Sequence, residues 1–306
     1  MDLLKSLCEV PAPSGNERAL KDFIIEYVQE HQAQWRCLPT MVANDDLQDS
    51  LILQFGQPRT ALLAHMDSVG FTVRYQDQLI PIGSPKAEDG YQLVGTDYLG
   101  PIRCELAVYE SKKEKHLRYK FGRGIARGTE LVFECDFRET TDFVQSCYLD
   151  NRLGVYNALK LAETLENGLL VFTCGEEHGG GSVPYLARFI HEKFKVKQYL
   201  ISDVTWTSDG IVHGDGAVIS MRDRNIPRRS FLNKVIALAE ASAVSFQLEV
   251  EGAGSSDARE LIQAAYPVDW CFVGTPVAYA HSPNEKVHRS DIASMLSLYR
   301  YLMQEL

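Results

Sequence analysis

Residues 150–177 read DNRLGVYNALKLAETLENGLLVFTCGEE, and this stretch decides the fold class. It predicts a helix over residues 152–165 and then an apolar strand over residues 169–173. The same alternation continues to the end of the chain, with predicted helices at 183–192, 230–243 and 291–303 and predicted strands at 198–201, 217–220 and 269–273. Apolar strands that alternate with helices indicate an α/β fold, in which a largely parallel sheet is covered on both faces.

The chain upstream of this stretch shows two different sequence patterns. Residues 15–34 predict a helix that begins at a capping cluster, and the short apolar runs 51–55 and 61–64 predict strands. From residue 71 to 143, short alternating runs are separated by Gly and Pro turns, with no helical period. We therefore expect a discontinuous α/β domain of residues 1–70 and 144–306, interrupted by a small all-β domain of residues 71–143.

Composition narrows the class of protein. The 306 residues are 45% apolar and 24% charged, which is typical of a globular chain, and the formal net charge of −10 argues against a nucleic-acid partner. No apolar run of 18 residues and no N-terminal signal pattern appear, so no membrane association is expected. Seven scattered cysteines without a Cys-x-x-Cys pattern suggest free thiols. These features predict a cytoplasmic protein.

Five short segments place acids or histidines directly after an apolar strand or at the start of a helix. Because ligands of open α/β sheets collect at the carboxyl ends of strands, the five segments can converge in space. They are Leu62-Leu-Ala-His65-Met-Asp67-Ser-Val-Gly70, Leu149-Asp150-Asn151-Arg152-Leu-Gly154, Phe172-Thr-Cys-Gly-Glu176-Glu177-His178-Gly-Gly-Gly181, Leu200-Ile-Ser-Asp203-Val-Thr205 and Ala280-His281-Ser-Pro283-Asn-Glu285.

Each segment taken alone has an ordinary explanation. The spacing of His65 and Asp67 places both on one face of a strand, where the carboxylate can orient a metal-bound imidazole, but a surface pair has the same spacing. Asp150 suits a helix N-cap. The adjacent acids Glu176 and Glu177 suggest a nearby cation, and a solvated acidic loop explains them equally well.

The set is more informative than its members. His65 and His281 with three of the carboxylates have the composition of a two-metal site, and a further carboxylate is left to act as a base. A ligand set of nitrogen and oxygen without sulfur favours Zn²⁺, with Co²⁺ or Mn²⁺ as alternatives. The sequence therefore predicts two divalent metal ions per chain.

The order of these segments over nearly the whole chain resembles metallopeptidase family 42, the dinuclear zinc aminopeptidases that include the glutamyl, deblocking and tetrahedral (TET-type) enzymes. The resemblance also includes Pro13-Ser-Gly-Asn-Glu17 and Gly254-Ser-Ser-Asp257-Ala258. It implies a zinc-peptidase-like α/β/α sandwich with a mixed, largely parallel sheet. It also implies that the inserted domain is barrel-like and mediates dimer contacts within a homo-oligomer, up to a dodecamer.

The resemblance further implies a role for each site residue. One zinc ion would be held by His65, Asp150 and Asp203, and the other by Asp150, Glu177 and His281. Glu176 would be the general base, and Asp67 would orient His65. A cis peptide bond between Asp150 and Asn151 is implied as well. Ser256 and Asp257 would line the substrate pocket.

The expected activity is hydrolysis of the N-terminal residue from peptide substrates. Departures from the family pattern, namely His178-Gly-Gly-Gly181 after the Glu pair and Ser255-Ser256 before Asp257, affect the expected substrate preference and leave the ligand set complete. Two alternatives remain at this stage. One is an N-acyl amino acid deacylase on a related scaffold, and the other is a catalytically silent assembly protein.

Overall fold

The computed structural model describes residues 1–110 and 115–306, so residues 111–114 of the predicted all-β segment lie outside the described part. The helices are α1 (Asp2–Glu9), α2 (Arg18–His31), α3 (Leu149–Ala162), α4 (Val183–Phe194), α5 (Arg229–Ser242), α6 (Ala258–Gln263) and α7 (Arg289–Glu305). The strands are β1 (Thr40–Val42), β2 (Leu51–Phe55), β3 (Thr60–His65), β4 (Gly70–Val73), β5 (Gln78–Ile82), β6 (Gln92–Asp97), β7 (Gly100–Glu110), β8 (Lys115–Lys120), β9 (Glu130–Phe133), β10 (Arg138–Glu139), β11 (Phe143–Ser146), β12 (Gly168–Thr173), β13 (Gln198–Trp206), β14 (Ala217–Arg222), β15 (Phe246–Val250), β16 (Asp269–Val277) and β17 (Glu285–His288).

An eight-stranded sheet in the order β1-β2-β12-β3-β13-β16-β14-β15 forms the centre of the molecule. The four central strands β12, β3, β13 and β16 are parallel. Antiparallel pairs form between β1 and β2, between β2 and β12, and between β14 and β16. Every residue of β3 and β12 is buried. Burial on both faces explains why these strands read as continuous apolar runs and not as alternating ones.

Helices cover both faces of the sheet. On one face, α2, α3, α5 and α7 contribute Ile24, Leu159, Val235 and Tyr299 to the larger apolar core. On the other face, α4 and α6 pack in a second core with alternate residues of the same strands. The predicted α/β/α sandwich with a mixed, largely parallel sheet is therefore confirmed.

The strands β4-β5-β8-β7-β6-β9 close into a barrel with its own apolar core, which includes Phe71, Leu106 and Phe133. The barrel leaves the main sheet directly after β3. The chain returns through β10 and β11, which form a three-stranded sheet with β17. The predicted inserted all-β unit is thus present, and its barrel lies between Gly70 and Phe133.

The structure departs from the sequence-based prediction at several element ends. The strand predicted over residues 198–201 continues to Trp206, because β13 pairs with β16 at nine successive positions. Asp150 is not the N-cap of α3: its carboxylate faces His65 and His281, and Asn151, which a cis peptide bond joins to it, accepts a capping hydrogen bond of 2.8 Å from the N–H of Gly154. None of the helices in the described part is long and apolar enough to span a bilayer.

Gly154 of α3 provides a test of how closely this helix packs on the sheet. A β-carbon there would collide with the backbone carbonyl of Ser202 on β13 and with the side chain of Asn151. We expect Gly154→Ala to lower the free energy of unfolding by about 1–3 kcal/mol, measured by urea denaturation, because overpacking displaces the helix.

Gly122 is the matched control, since a β-carbon at this position meets no atom within 4 Å. Gly122→Ala should change stability by less than about 0.5 kcal/mol. Equal effects of the two substitutions would contradict the close approach of α3 to β13.

Candidate dinuclear metal centre

The predicted site residues converge at one edge of the sheet. His65 is the last residue of β3, Asp203 lies in β13, and Glu176 and Glu177 follow β12. Because β12 and β13 both pair with β3 in parallel, their carboxyl ends lie side by side. Asp150 approaches the same edge from the start of α3.

Two groups of side chains meet there. The first consists of His65, Asp150 and Asp203, and the second of Asp150, Glu177 and His281. Within each group, the candidate ligand atoms all lie within 4.8 Å of one another.

Asp150 belongs to both groups because its two carboxylate oxygens face different histidines. His65 Nε2 lies 3.3 Å from Asp150 Oδ1, and His281 Nε2 lies 3.3 Å from Asp150 Oδ2. On the outer sides, His65 Nε2 is 3.6 Å from Asp203 Oδ1, and His281 Nε2 is 3.2 Å from Glu177 Oε2. Asp150 is thus the residue that the two groups have in common.

In both imidazole rings, Nδ1 lies close to oxygen atoms that can fix the orientation of the ring. His65 Nδ1 lies 3.3 Å from the backbone carbonyl of Asp67 and 3.5 Å from its carboxylate. His281 Nδ1 lies 3.2 Å from the carbonyl of Ser84 and 3.0 Å from its hydroxyl. A ring that donates from Nδ1 to a carbonyl keeps a lone pair on Nε2, which is the state required of a metal ligand.

Asp67 connects the first histidine to the Glu pair. Its buried carboxylate accepts hydrogen bonds from Ser14 Oγ at 2.5 Å and from the backbone N–H groups of Glu176 and Glu177 at 3.0 Å each. Burial by itself would raise the pKa of Asp67, but the hydrogen bond and charge of His65 hold it below its ordinary value. One ionised carboxylate therefore positions both the imidazole and the acidic turn.

The site contains more buried carboxyl groups than its two histidines can pair with. Burial raises the pKa of Glu176, Glu177 and Asp203, and the neighbouring carboxylates raise it further. Among the described residues, Glu177 Oε1 is buried without a hydrogen-bond partner. An excess of buried carboxylate oxygens around two available imidazole nitrogens fits divalent cations bound by nitrogen and oxygen.

Two positioning residues were not predicted from the sequence. Glu285, which is buried, accepts hydrogen bonds from the backbone N–H groups of Asp150 at 2.9 Å and His281 at 2.7 Å. Glu285 lies in one of the five segments, but nothing in its spacing indicates this role. Ser84 comes from the barrel, and no sequence signal connects it to His281.

The turn after the Glu pair rests against the barrel. His178 Nδ1 accepts a hydrogen bond of 2.9 Å from the backbone N–H of Gly83. A β-carbon at Gly83, whose φ is +67°, would lie 2.9 Å from the carbonyl oxygen of Glu177. Gly181 likewise has no room for a β-carbon beside the carbonyl of Cys174. The glycines and His178 therefore let the turn fit between the sheet and the barrel.

A cavity of about 560 Å³ opens onto both metal-ligand groups and Glu176. Ser256 lines it, as the resemblance implies. Asp257 lies beneath the lining and accepts a hydrogen bond of 2.6 Å from Thr173 Oγ1. Burial raises the pKa of Asp257 to about 7.

The three-layer fold and the two histidine–carboxylate groups point to a metal-dependent hydrolase. The sequence profile of the M42 glutamyl aminopeptidases matches residues 111–298, more than half of the chain. The chain belongs to this family of aminopeptidases, which confirms the predicted family and enzyme class and favours it over the deacylase and silent-assembly alternatives.

Individual relatives agree with this assignment. A protein of Acetivibrio thermocellus, provisionally named an aminopeptidase, is 26% identical over 97% of this chain and 96% of its own length. Two solved structures share the fold. An aminopeptidase from the archaeon Desulfurococcus kamchatkensis has a TM-score of 0.85 at 22% identity, covering 100% of this chain and 94% of that one. The Pyrococcus horikoshii TET1 peptidase, described as assembling into a tetrahedron or a large octahedral shell, has a TM-score of 0.81 at 20% identity, covering 100% and 99%.

Asp67 offers a test of the site that leaves all the candidate ligands in place. We expect Asp67→Asn to weaken metal retention about 10–100-fold, because the amide orients His65 less well and turns a donor toward the N–H groups of the Glu pair. Bound metal is measured by elemental analysis after dialysis against graded chelator. The exposed Asp136→Asn is the control, and an equal metal loss in both variants would refute the positioning role of Asp67.

Proposed function

We propose that this protein removes N-terminal residues from peptides with two divalent metal ions per chain, Zn²⁺ being preferred over Co²⁺ and Mn²⁺. The observation that carries the proposal is the position of Asp150, with one carboxylate oxygen facing each histidine. On this proposal, one ion would be held by His65, Asp150 and Asp203, and the other by Asp150, Glu177 and His281.

When bound, the two cations supply Lewis acidity that lowers the pKa of water and polarises a peptide carbonyl. The remaining chemistry falls to Glu176. Glu176 lines the cavity and belongs to neither ligand group, so its carboxylate is free to accept a proton. The hydrogen bond from its own backbone N–H to Asp67 holds it beside His65.

Glu176 acts twice in this proposal. Its carboxylate takes a proton from the attacking water as the water oxygen bonds to the scissile carbonyl carbon. It then delivers the same proton to the nitrogen of the leaving amine as the carbon–nitrogen bond breaks. The products are the free N-terminal amino acid and the shortened peptide. The acidic cavity attracts a free α-amine, and Ser256 and Asp257 are proposed to shape the end that receives it.

We further propose that residues 1–70 and 144–306 form the catalytic domain and that residues 71–143 mediate dimer contacts within a larger homo-oligomer, up to a dodecamer. The support is an apolar hairpin tip between β6 and β7. Tyr98 is 83% exposed and Leu99 59% exposed at this tip. Two adjacent large apolar side chains at an exposed turn are typical of a contact surface.

Substitution of the proposed base and of the shared ligand should have different effects on metal content and activity. Glu176→Gln should retain two metal ions per chain, whereas turnover of leucine p-nitroanilide should fall by about 10²–10⁴-fold or more, because the amide cannot accept the proton. Asp150→Ala should lose metal as well as activity. Metal content by elemental analysis and initial rates distinguish the two variants. Substantial activity in Glu176→Gln, or two retained ions in Asp150→Ala, would refute these roles.

The hairpin tip predicts the assembly state. We expect the double substitution Tyr98→Asp and Leu99→Asp to produce a smaller species by light scattering during gel filtration, because charge at the tip opposes burial. Leu38→Asp is the control, since Leu38 is 70% exposed and lies outside the barrel. If the double variant keeps the size of the unmodified protein, the tip is not an assembly contact.

A further inference from the structure

The cavity at the metal centre extends to a second group of acids, which we call the distal acid group: Asp223, Glu249 and Glu251. Glu249 lies in β15 and is only 4% exposed, Asp223 is also buried and Glu251 is half-buried. The three carboxylates are close enough for Asp223 and Glu251 to raise the pKa of Glu249, in addition to the larger effect of burial. None of the three belongs to the metal-ligand groups.

β13 connects the distal acid group to the metal centre. Thr205 follows Asp203 by two residues in this strand, so both face the same side, about 7 Å apart along the strand. Thr205 Oγ1 donates a hydrogen bond to Glu249 Oε1. Glu249 is therefore bonded to a residue whose separation from a candidate metal ligand along the strand is comparable to the length of an extended lysine side chain.

A second polar group points to a ligand at the same place. Ser220 lies directly opposite Glu249 in the pairing of β14 with β15 and lines the cavity. Ser220 is 2% exposed, and in the part of the chain that the structure describes its Oγ makes no hydrogen bond of full geometry, although it is close enough to Glu249 to counter the rise in the pKa of that carboxyl. A buried hydroxyl that shares a cavity with a buried carboxylate can accept a hydrogen bond from a charged group of a ligand.

The charge of the distal acid group is not offset by an ion pair with any described residue. Arg222 Nε donates to the backbone carbonyls of Asp223 and Glu251, not to their carboxylates. The two arginines that line the cavity, Arg224 and Arg259, are exposed, and Arg259 pairs with Glu260 at 3.6 Å.

The ring of Phe272 gives the cavity an apolar surface. Phe272 lines the cavity, and its ring lies against Gly274, where a β-carbon would approach the ring to 2.7 Å. Gly274 pairs with Asp203 across β16 and β13. An aromatic ring in the same cavity as a buried carboxylate suits an aliphatic stem that ends in a cation.

We propose that this part of the cavity receives the side chain of the substrate's N-terminal residue and selects lysine or arginine over neutral and acidic residues. The inference rests on the proposed aminopeptidase function. The aliphatic stem packs on Phe272, and the terminal ammonium or guanidinium pairs with Glu249 and donates a hydrogen bond to the hydroxyl oxygen of Ser220. A glutamate side chain would meet three carboxylates and no buried counter-charge.

Binding of two matched amides tests the selection without turnover. L-Lysinamide and L-norleucinamide have the same four-carbon chain and differ by the terminal ammonium. Calorimetric titration into the metal-loaded full chain should give lysinamide a Kd at least 10-fold lower than norleucinamide, and the α-amide of glutamic acid should bind more weakly than both. Equal Kd values for lysinamide and norleucinamide would overturn the proposal.

The variant Glu249→Gln removes the charge and keeps the shape. It should reduce the lysinamide–norleucinamide ratio to within about 2-fold of unity, whereas Glu240→Gln, an exposed change on α5, should leave the ratio intact. An unchanged ratio in Glu249→Gln would refute Glu249 as the selective group. The comparison of the two amides on the unmodified protein remains decisive if the variant does not fold.

Kinetics separates this proposal from the function on which it rests. With lysine, leucine and glutamate p-nitroanilides, we expect kcat/KM for lysine to exceed that for leucine at least 10-fold. Hydrolysis of the leucine substrate at an equal or higher rate overturns the selectivity and supports the aminopeptidase. Preferential binding of lysinamide without hydrolysis of any p-nitroanilide supports the pocket and overturns the proposed function.

Discussion

The carboxylate of Asp150 presents one oxygen to His65 and the other to His281, although Glu176, Glu177 and Asp203 crowd the same space. Burial would raise the pKa of Asp150, but the two adjacent histidines hold this pKa below its ordinary value. Like charges in a dry site repel each other, and the structure therefore has to hold each one in place by its backbone. The N–H groups of Asp150 and of the Glu pair donate to Glu285 and to Asp67, respectively.

The same constraint extends into the core beneath Asp150. The Asn151 side chain donates to the Ser202 carbonyl and accepts from the N–H of Gly154, which ties the start of α3 to β13. The guanidinium of Arg152 is fully buried and donates to the backbone carbonyls of Leu7, Val10 and Met66. These carbonyls belong to α1, to the segment after it and to the residue after β3. A buried cation thus joins three parts of the chain behind the anionic site.

The main features of the fold could be predicted because they are local. The alternation of helices and apolar strands, and the acids and histidines that end those strands, are visible in short windows of sequence. The missing parts depend on partners far away in the chain. Whether β13 continues beyond residue 201 depends on its pairing with β16, and the contact of Ser84 with His281 joins residues 197 positions apart. Periodicity contains no information about such pairs, and a resemblance transfers only the residues of its motifs.

The barrel contributes to the site as well as to the surface. Its segment after β5 holds the turn of the Glu pair through Gly83 and His178, and it holds His281 through Ser84 and through the N–H of Lys86, which donates to the His281 carbonyl. An inserted domain can support these side chains only if it is inserted close to them in the chain. The barrel begins at Gly70, three residues after Asp67, and β11 ends at Ser146, four residues before Asp150. Because both connections lie beside the candidate ligands, the barrel is anchored where the charged side chains need support, and the hairpin of Tyr98 and Leu99 is left exposed at its surface.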